Sequence, residues 1–137
     1  MMRKLDQRGV AAFEFCLVAA PLFTLMFVIF DLGRYAITVQ SLWALADAEA
    51  RAMMIACYTP AKINNTSPSS CTGDYLSAAQ KQAAAPFLYG GSLPAPTVNI
   101  QVQGSALRVS ASTSFTALVP VWGTALNAPR ASTEVPF

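Results

Sequence analysis

Arg8-Gly9-Val10-Ala11-Ala12-Phe13-Glu14-Phe15, continued by CLVAAPLFTLMFVIF over residues 16–30, is the stretch on which the fold of this chain turns. From Val10 to Phe30 there are 21 residues and a single charged side chain, Glu14. At a rise of about 1.5 Å per residue, roughly 20 helical residues cross a hydrocarbon core of ~30 Å, so the run is long enough to span a bilayer. A carboxylate in mid-span costs about 2.5–3.5 kcal/mol, and less near an end. Glu14 therefore calls for a partner.

Upstream of the run, Arg3, Lys4 and Arg8 against Asp6 account for the whole net charge of +2, because six basic and six acidic residues make up the rest. This local excess predicts a cytoplasmic N-terminus, with everything after Asp31 on the far side of the membrane. A charge so small and so confined is no signal for nucleic acid. Across all 137 residues the chain is 54% hydrophobic and 12% charged, too apolar for an ordinary soluble domain of its size. What remains beyond the run, about a hundred residues, suffices for one small domain. The expected organisation is a leader over 1–9, a transmembrane helix over 10–30 and an extracytoplasmic domain over 31–137.

Downstream, Val39, Leu42, Ala46, Ala50, Met53 and Cys57 recur at spacings of 3, 4, 4, 3 and 4, an apolar helical stripe, and Asp47 and Arg51 stand as an i,i+4 pair on the opposite face. A single helix from about Val10 to about Tyr58 would be a rod of ~70 Å; the alternative is a separate core helix joined through Gly33. Pro21, in mid-span, removes one backbone hydrogen bond and is a candidate kink. Thr59 to Gly73 reads as loop, and a second short helix is expected from an Asp74 N-cap to Pro86. From Thr97 the period becomes two: Val98, Ile100 and Val102, a Gly104-Ser105 turn of type II′, then Leu107, Val109 and Ala111. Ser114–Val119 prolongs that strand or forms another, and Arg130–Val135 adds an edge strand. The fold class is α+β, with a small antiparallel sheet packed on the outer half of the long helix.

Cys57 and Cys71 bracket a Pro/Asn/Ser/Thr-rich segment on the oxidising side and are expected to form a disulfide worth roughly 3 kcal/mol; Cys16 lies in the apolar run as a small hydrophobe. The chain has no histidine, and no paired cysteine pattern for a metal. Asp31, Asp47, Glu49, Asp74 and Glu134 show no catalytic motif and are read as decorating solvated faces. Neither an enzyme nor a cofactor is expected.

Three readings of the N-terminus compete. A secretory signal needs a shorter apolar core and a small-x-small cleavage site, which Asp31-Leu32-Gly33-Arg34-Tyr35 does not supply. A permanent anchor explains length and orientation but neither Gly9 nor Glu14. A leader cut after Gly9 explains both, because the new amine on Val10 stands four residues from Glu14, one turn away on the same face. The string Arg8 to Phe15 with Pro21-Leu22 and Asp31-Leu32-Gly33-Arg34 resembles the N-terminal signature of TadE-like minor pseudopilins of the tight-adherence (Tad/Flp) machinery, and its Gly9…Glu14-Phe15 is similar to the processing site of type IVb prepilins.

That resemblance implies a type IV pilin-like architecture and cleavage between Gly9 and Val10 by a membrane prepilin peptidase, with Glu14 and Phe15 serving assembly. It implies as partners the peptidase, other pilins and minor pseudopilins, the inner-membrane Tad platform proteins and the lipid bilayer. The implied location is the bacterial inner membrane, with the domain periplasmic and the mature protein a candidate for incorporation in a surface pilus. The rival reading is an unprocessed single-pass envelope scaffold or binding protein.

Overall fold

The computed structural model describes residues 7–91 and 94–137. Arg3, Lys4 and Asp6 of the basic leader lie outside the described residues. Helix α1 runs unbroken from Gln7 to Met53, 47 residues, through both Pro21 and Gly33. A glycine in a helix costs about 1 kcal/mol relative to alanine, too little to end a helix that is supported on both sides. The rod continues through a π-helical turn, Met54–Tyr58, into α2, Thr59–Ile63. Pro60 has no N–H to give to the residue four back, and the wider turn before it absorbs the gap, with the Thr59 N–H donating to the Met54 carbonyl. The helix thus extends past the expected end near Tyr58 and takes up the first part of the segment read as loop.

Beyond the rod, Pro68–Ser70 makes a single 3-10 turn, and α3, Ala78–Ala84, is followed by α4, Pro86–Tyr89. The N-cap of α3 is Ser77, not Asp74: Ser77 and Gln80 form a reciprocal capping box. Asp74 instead accepts from the Leu76 N–H at 3.3 Å and pairs with Lys81. The predicted hairpin is present as β1, Thr97–Gln103, and β2, Ala106–Ser112; β3, Arg130–Pro136, completes an antiparallel sheet in the order β1-β2-β3. Gly104 has φ +63° while Ser105 keeps a negative φ, which is the II′ and not the I′ pattern. Ser114–Val119 forms no strand; the connection from β2 to β3 leaves the sheet and returns to α1.

Register places Ile100 opposite Val109, Val102 opposite Leu107, and Leu107 opposite Val135, so one sheet face is apolar. This face packs on the outer half of α1 in two clusters. Leu42, Leu45 and Ala46 meet Ala85, Leu88, Ala111 and Ala131; Ala50 and Met53 meet Cys71, Ile100, Leu107 and Val109. Of the predicted stripe, Leu42, Ala46, Ala50 and Met53 are buried, joined by Leu45. From Val10 to Phe30, by contrast, the large apolar side chains point outward all round the helix.

Cys57 and Cys71 are joined by a disulfide across 14 residues, fastening the π-helical turn to the loop beneath the second cluster. The Tyr58 hydroxyl adds a bond of 2.9 Å to the Pro136 carbonyl at the end of β3. Because Leu107 is fully buried between helix and sheet, Leu107→Ala is expected to cost about 2–5 kcal/mol in denaturant unfolding of the detergent-solubilised protein. Arg108→Ala, which removes only an exposed pair with Glu134, should cost less than about 1 kcal/mol.

Candidate functional site: the rod and its acidic residues

The four residues singled out at the N-terminal end all lie on α1. Gly9 is in its first turns, where a Cβ would meet nothing within 4 Å. Val10 and Glu14 stand one turn apart along the same face. Val10, Glu14 and Phe15 are all exposed, and among the described residues no ion pair reaches Glu14.

Two other acids on the rod depart from the sequence reading. Asp31 and Glu49, expected on solvated faces, are fully buried. Asp31 closes the apolar run and accepts three hydrogen bonds from two backbone amides: Leu118 N–H at 3.0 and 2.9 Å, and Val119 N–H at 2.9 Å. The bond from Leu118, opposed by burial and aided by Val119 and the Arg34 charge, holds its carboxyl below the ordinary range. Arg34 lies 3.5 Å from this carboxylate and 5.2 Å above the Phe115 ring, which also meets Tyr35 edge-on at 5.6 Å. The 113–129 connection is therefore clamped to the helix at the first turn beyond the apolar run. Two further bonds close it on itself, Phe115 N–H to Asn127 O at 2.9 Å and Thr113 N–H to Pro129 O at 3.3 Å.

Glu49 is buried beside Thr72, Gly73, Asp74 and Val98, where its Oε1 accepts from the Tyr75 N–H at 2.6 Å and its Oε2 has no hydrogen-bond partner among the described residues. It ties the 72–76 loop to the rod. Both acids follow a legible phase: 31, 35, 38, 42 and then 42, 46, 49, 53 each step by 4, 3 and 4. The stripe does not pause for them; they occupy apolar positions and recruit amides. Asp47 and Arg51, expected as a pair on a free face, instead line a groove of ≈460 Å³ between α1 and β3, with Met54, Glu134 and Val135 among its walls. Among the described residues, no group of three or more His, Cys, Asp or Glu converges.

A helix long and apolar enough to cross a membrane, exposed over residues 10–30 and covered by a three-stranded sheet over its C-terminal half, gives a rod-and-sheet architecture with one candidate membrane span among the described residues. Residues 9–51 of this rod match the model of the TadE family, described as TadE-like protein. The match covers the apolar run and the outer stripe as far as Ala50 and ends before the sheet. No curated protein and no solved structure matches the chain.

Burial raises the Glu49 carboxyl above its ordinary value of 4.5, opposed by the Tyr75 N–H and reinforced by the nearby Asp74 charge. A carboxyl raised on folding makes the folded state prefer the proton, so stability declines as pH climbs from the unfolded value through the folded one. Glu49→Gln, which copies the neutral form, is expected to remove that decline. Thermal unfolding of wild type and variant should coincide most closely near pH 4, and the variant should melt higher at pH 8.

Proposed function

We propose that this protein is a minor pseudopilin of the tight-adherence pilus, processed between Gly9 and Val10 by a prepilin peptidase and acting in pilus assembly, priming or adhesion from the bacterial inner membrane. The observation that carries this reading is Glu14: it is the one charged side chain in an apolar run of 21 residues, with no partner among the described residues and one helical turn from the amine that cleavage would create. The TadE-like match over 9–51 supports the same assignment. A buried charge opposite an amine is a register device: each end is costly alone, and the cost is relieved only when the two meet, within one chain or between neighbours. The chemistry is done to this protein rather than by it, and its partners are other pilins, minor pseudopilins and the membrane platform. An unprocessed envelope scaffold is the competing reading, since it too accounts for the anchor and the domain.

Mass spectrometry of the membrane-purified protein separates the two. The pseudopilin requires a mature N-terminus at Val10, whereas an intact leader supports the scaffold. Glu14→Ala is expected to leave that processing unchanged while abolishing co-purification with sheared pili or with the assembly platform. Unchanged association of the variant would remove the carboxylate from the assembly mechanism.

A further inference from the structure

We propose that the connection between β2 and β3, at Leu118 to Trp122, is a second membrane contact: an apolar wedge that enters the headgroup–acyl boundary of the bilayer beside the rod. The inference rests on the membrane-anchored reading given above and adds a lipid-binding surface to it.

The position of the wedge follows from Asp31. That residue comes one position after Phe30, the last of the apolar run. Side chains on a helix lean toward its N-terminus, over the preceding turn. The Asp31 carboxylate therefore reaches down toward the apolar run, and there it holds the amides of Leu118 and Val119 within 3.0 Å. The backbone of the connection is thus level with the final apolar turn of the rod, at the depth where a bilayer containing residues 10–30 has its surface.

The composition of the segment matches that position. Between Arg108 and Arg130 lie 21 residues without a charged side chain. Leu118 is 64% exposed and Val121 62% exposed, although neither faces the apolar core. Pro120 and Trp122 form a 3-10 turn with Val121 at its centre, which presents that side chain outward. The Asp31 carboxylate at this level is held by the two amides, and one turn higher the half-exposed guanidinium of Arg34 lies over the Phe115 ring. Apolar tip, aromatic at the boundary and cation above it is the order in which a bilayer interface accepts side chains. Lipid, rather than a neighbouring subunit, is the occupant because the patch is continuous with the lipid-facing surface of the rod and shares its depth.

Spin-label depth measurements on the full chain in phosphatidylcholine/phosphatidylglycerol vesicles, at low protein-to-lipid ratio, test this. Cys16, the free thiol, is replaced by Ser, and a nitroxide is placed singly through Leu118→Cys or Val121→Cys. Phe23→Cys reports the span, and Ile55→Cys, 76% exposed at the outer end of the rod, reports water. Collision with oxygen relative to a water-soluble nickel chelate at 118 and 121 should fall between the values at Phe23 and Ile55, clearly above that at Ile55. If Phe23 reads as lipid while 118 and 121 read as water, the wedge is overturned and the anchor stands. If Phe23 itself reads as water, the membrane reading falls and the wedge with it. If 118 and 121 become shielded only as the protein-to-lipid ratio is raised, their partner is another rod and the lipid assignment is overturned.

Discussion

One continuous helix has to satisfy two surroundings, and the place where they meet is the Asp31 carboxylate. Below it, α1 offers apolar side chains in every direction and packs against nothing in its own fold. Above it, the same helix narrows to a single stripe that the sheet covers. A bare amide costs free energy when removed from water, and so does a bare carboxylate. By joining the two, Asp31 lets a loop from the far end of the domain lie against the helix without leaving either group unpaired. The other ties between domain and rod are the upper clusters, the disulfide, the Glu49 and Tyr58 bonds and the packing of Arg34 and Tyr35 on Phe115.

The upper clusters obey simpler rules. A three-stranded sheet with one apolar face needs a partner to be stable, and the stripe of α1 supplies it. The disulfide and the Tyr58–Pro136 bond then fasten the end of the rod to the loop and to the last strand. Here the π-helical turn matters: it lets the rod run through Pro60, so that Cys57 and Tyr58 belong to the same rigid body as Met53.

What could be read in the sequence were the features that depend on near neighbours: the apolar run, the 3.6 period of the outer rod, the period of two around Gly104-Ser105, and the cysteine pair. The misreadings share a cause. Asp31 and Glu49 sit in phase with Leu42, Ala46 and Met53, but a carboxylate at an apolar position is stable only if something distant pairs with it, and Leu118 is 87 residues from Asp31. Residue type argued for solvent, while phase argued for burial. Asp74 was displaced as a helix cap by a better local alternative, the Ser77/Gln80 box, which bonds at both ends. The processing site is legible in pattern alone: Gly9 and Glu14 have no contacts from the domain that would assign them a role, so their meaning comes from the chemistry of a cut chain.

The exposed apolar surface of the rod limits how such a protein can move. Phe13, Phe15, Leu17, Val18, Leu22, Phe23 and their successors are each largely uncovered, and covering a side chain of this size is worth about 1.5–3 kcal/mol. The rod as a whole therefore represents tens of kcal/mol of surface that cannot face water at any stage, since that exceeds the usual stability of a whole domain, about 5–15 kcal/mol. On the proposed reading, departure from the bilayer must be an exchange of one apolar neighbour for another, lipid for a second rod, with the Val10 amine and Glu14 setting where the exchange comes to rest. Asp31 holds the 118–122 tip to the same stretch of helix, so the tip travels with the rod. Whatever replaces lipid around residues 10–30 must then also cover Leu118 and Val121, which makes the collar at Asp31 part of any lateral contact the extracted protein forms.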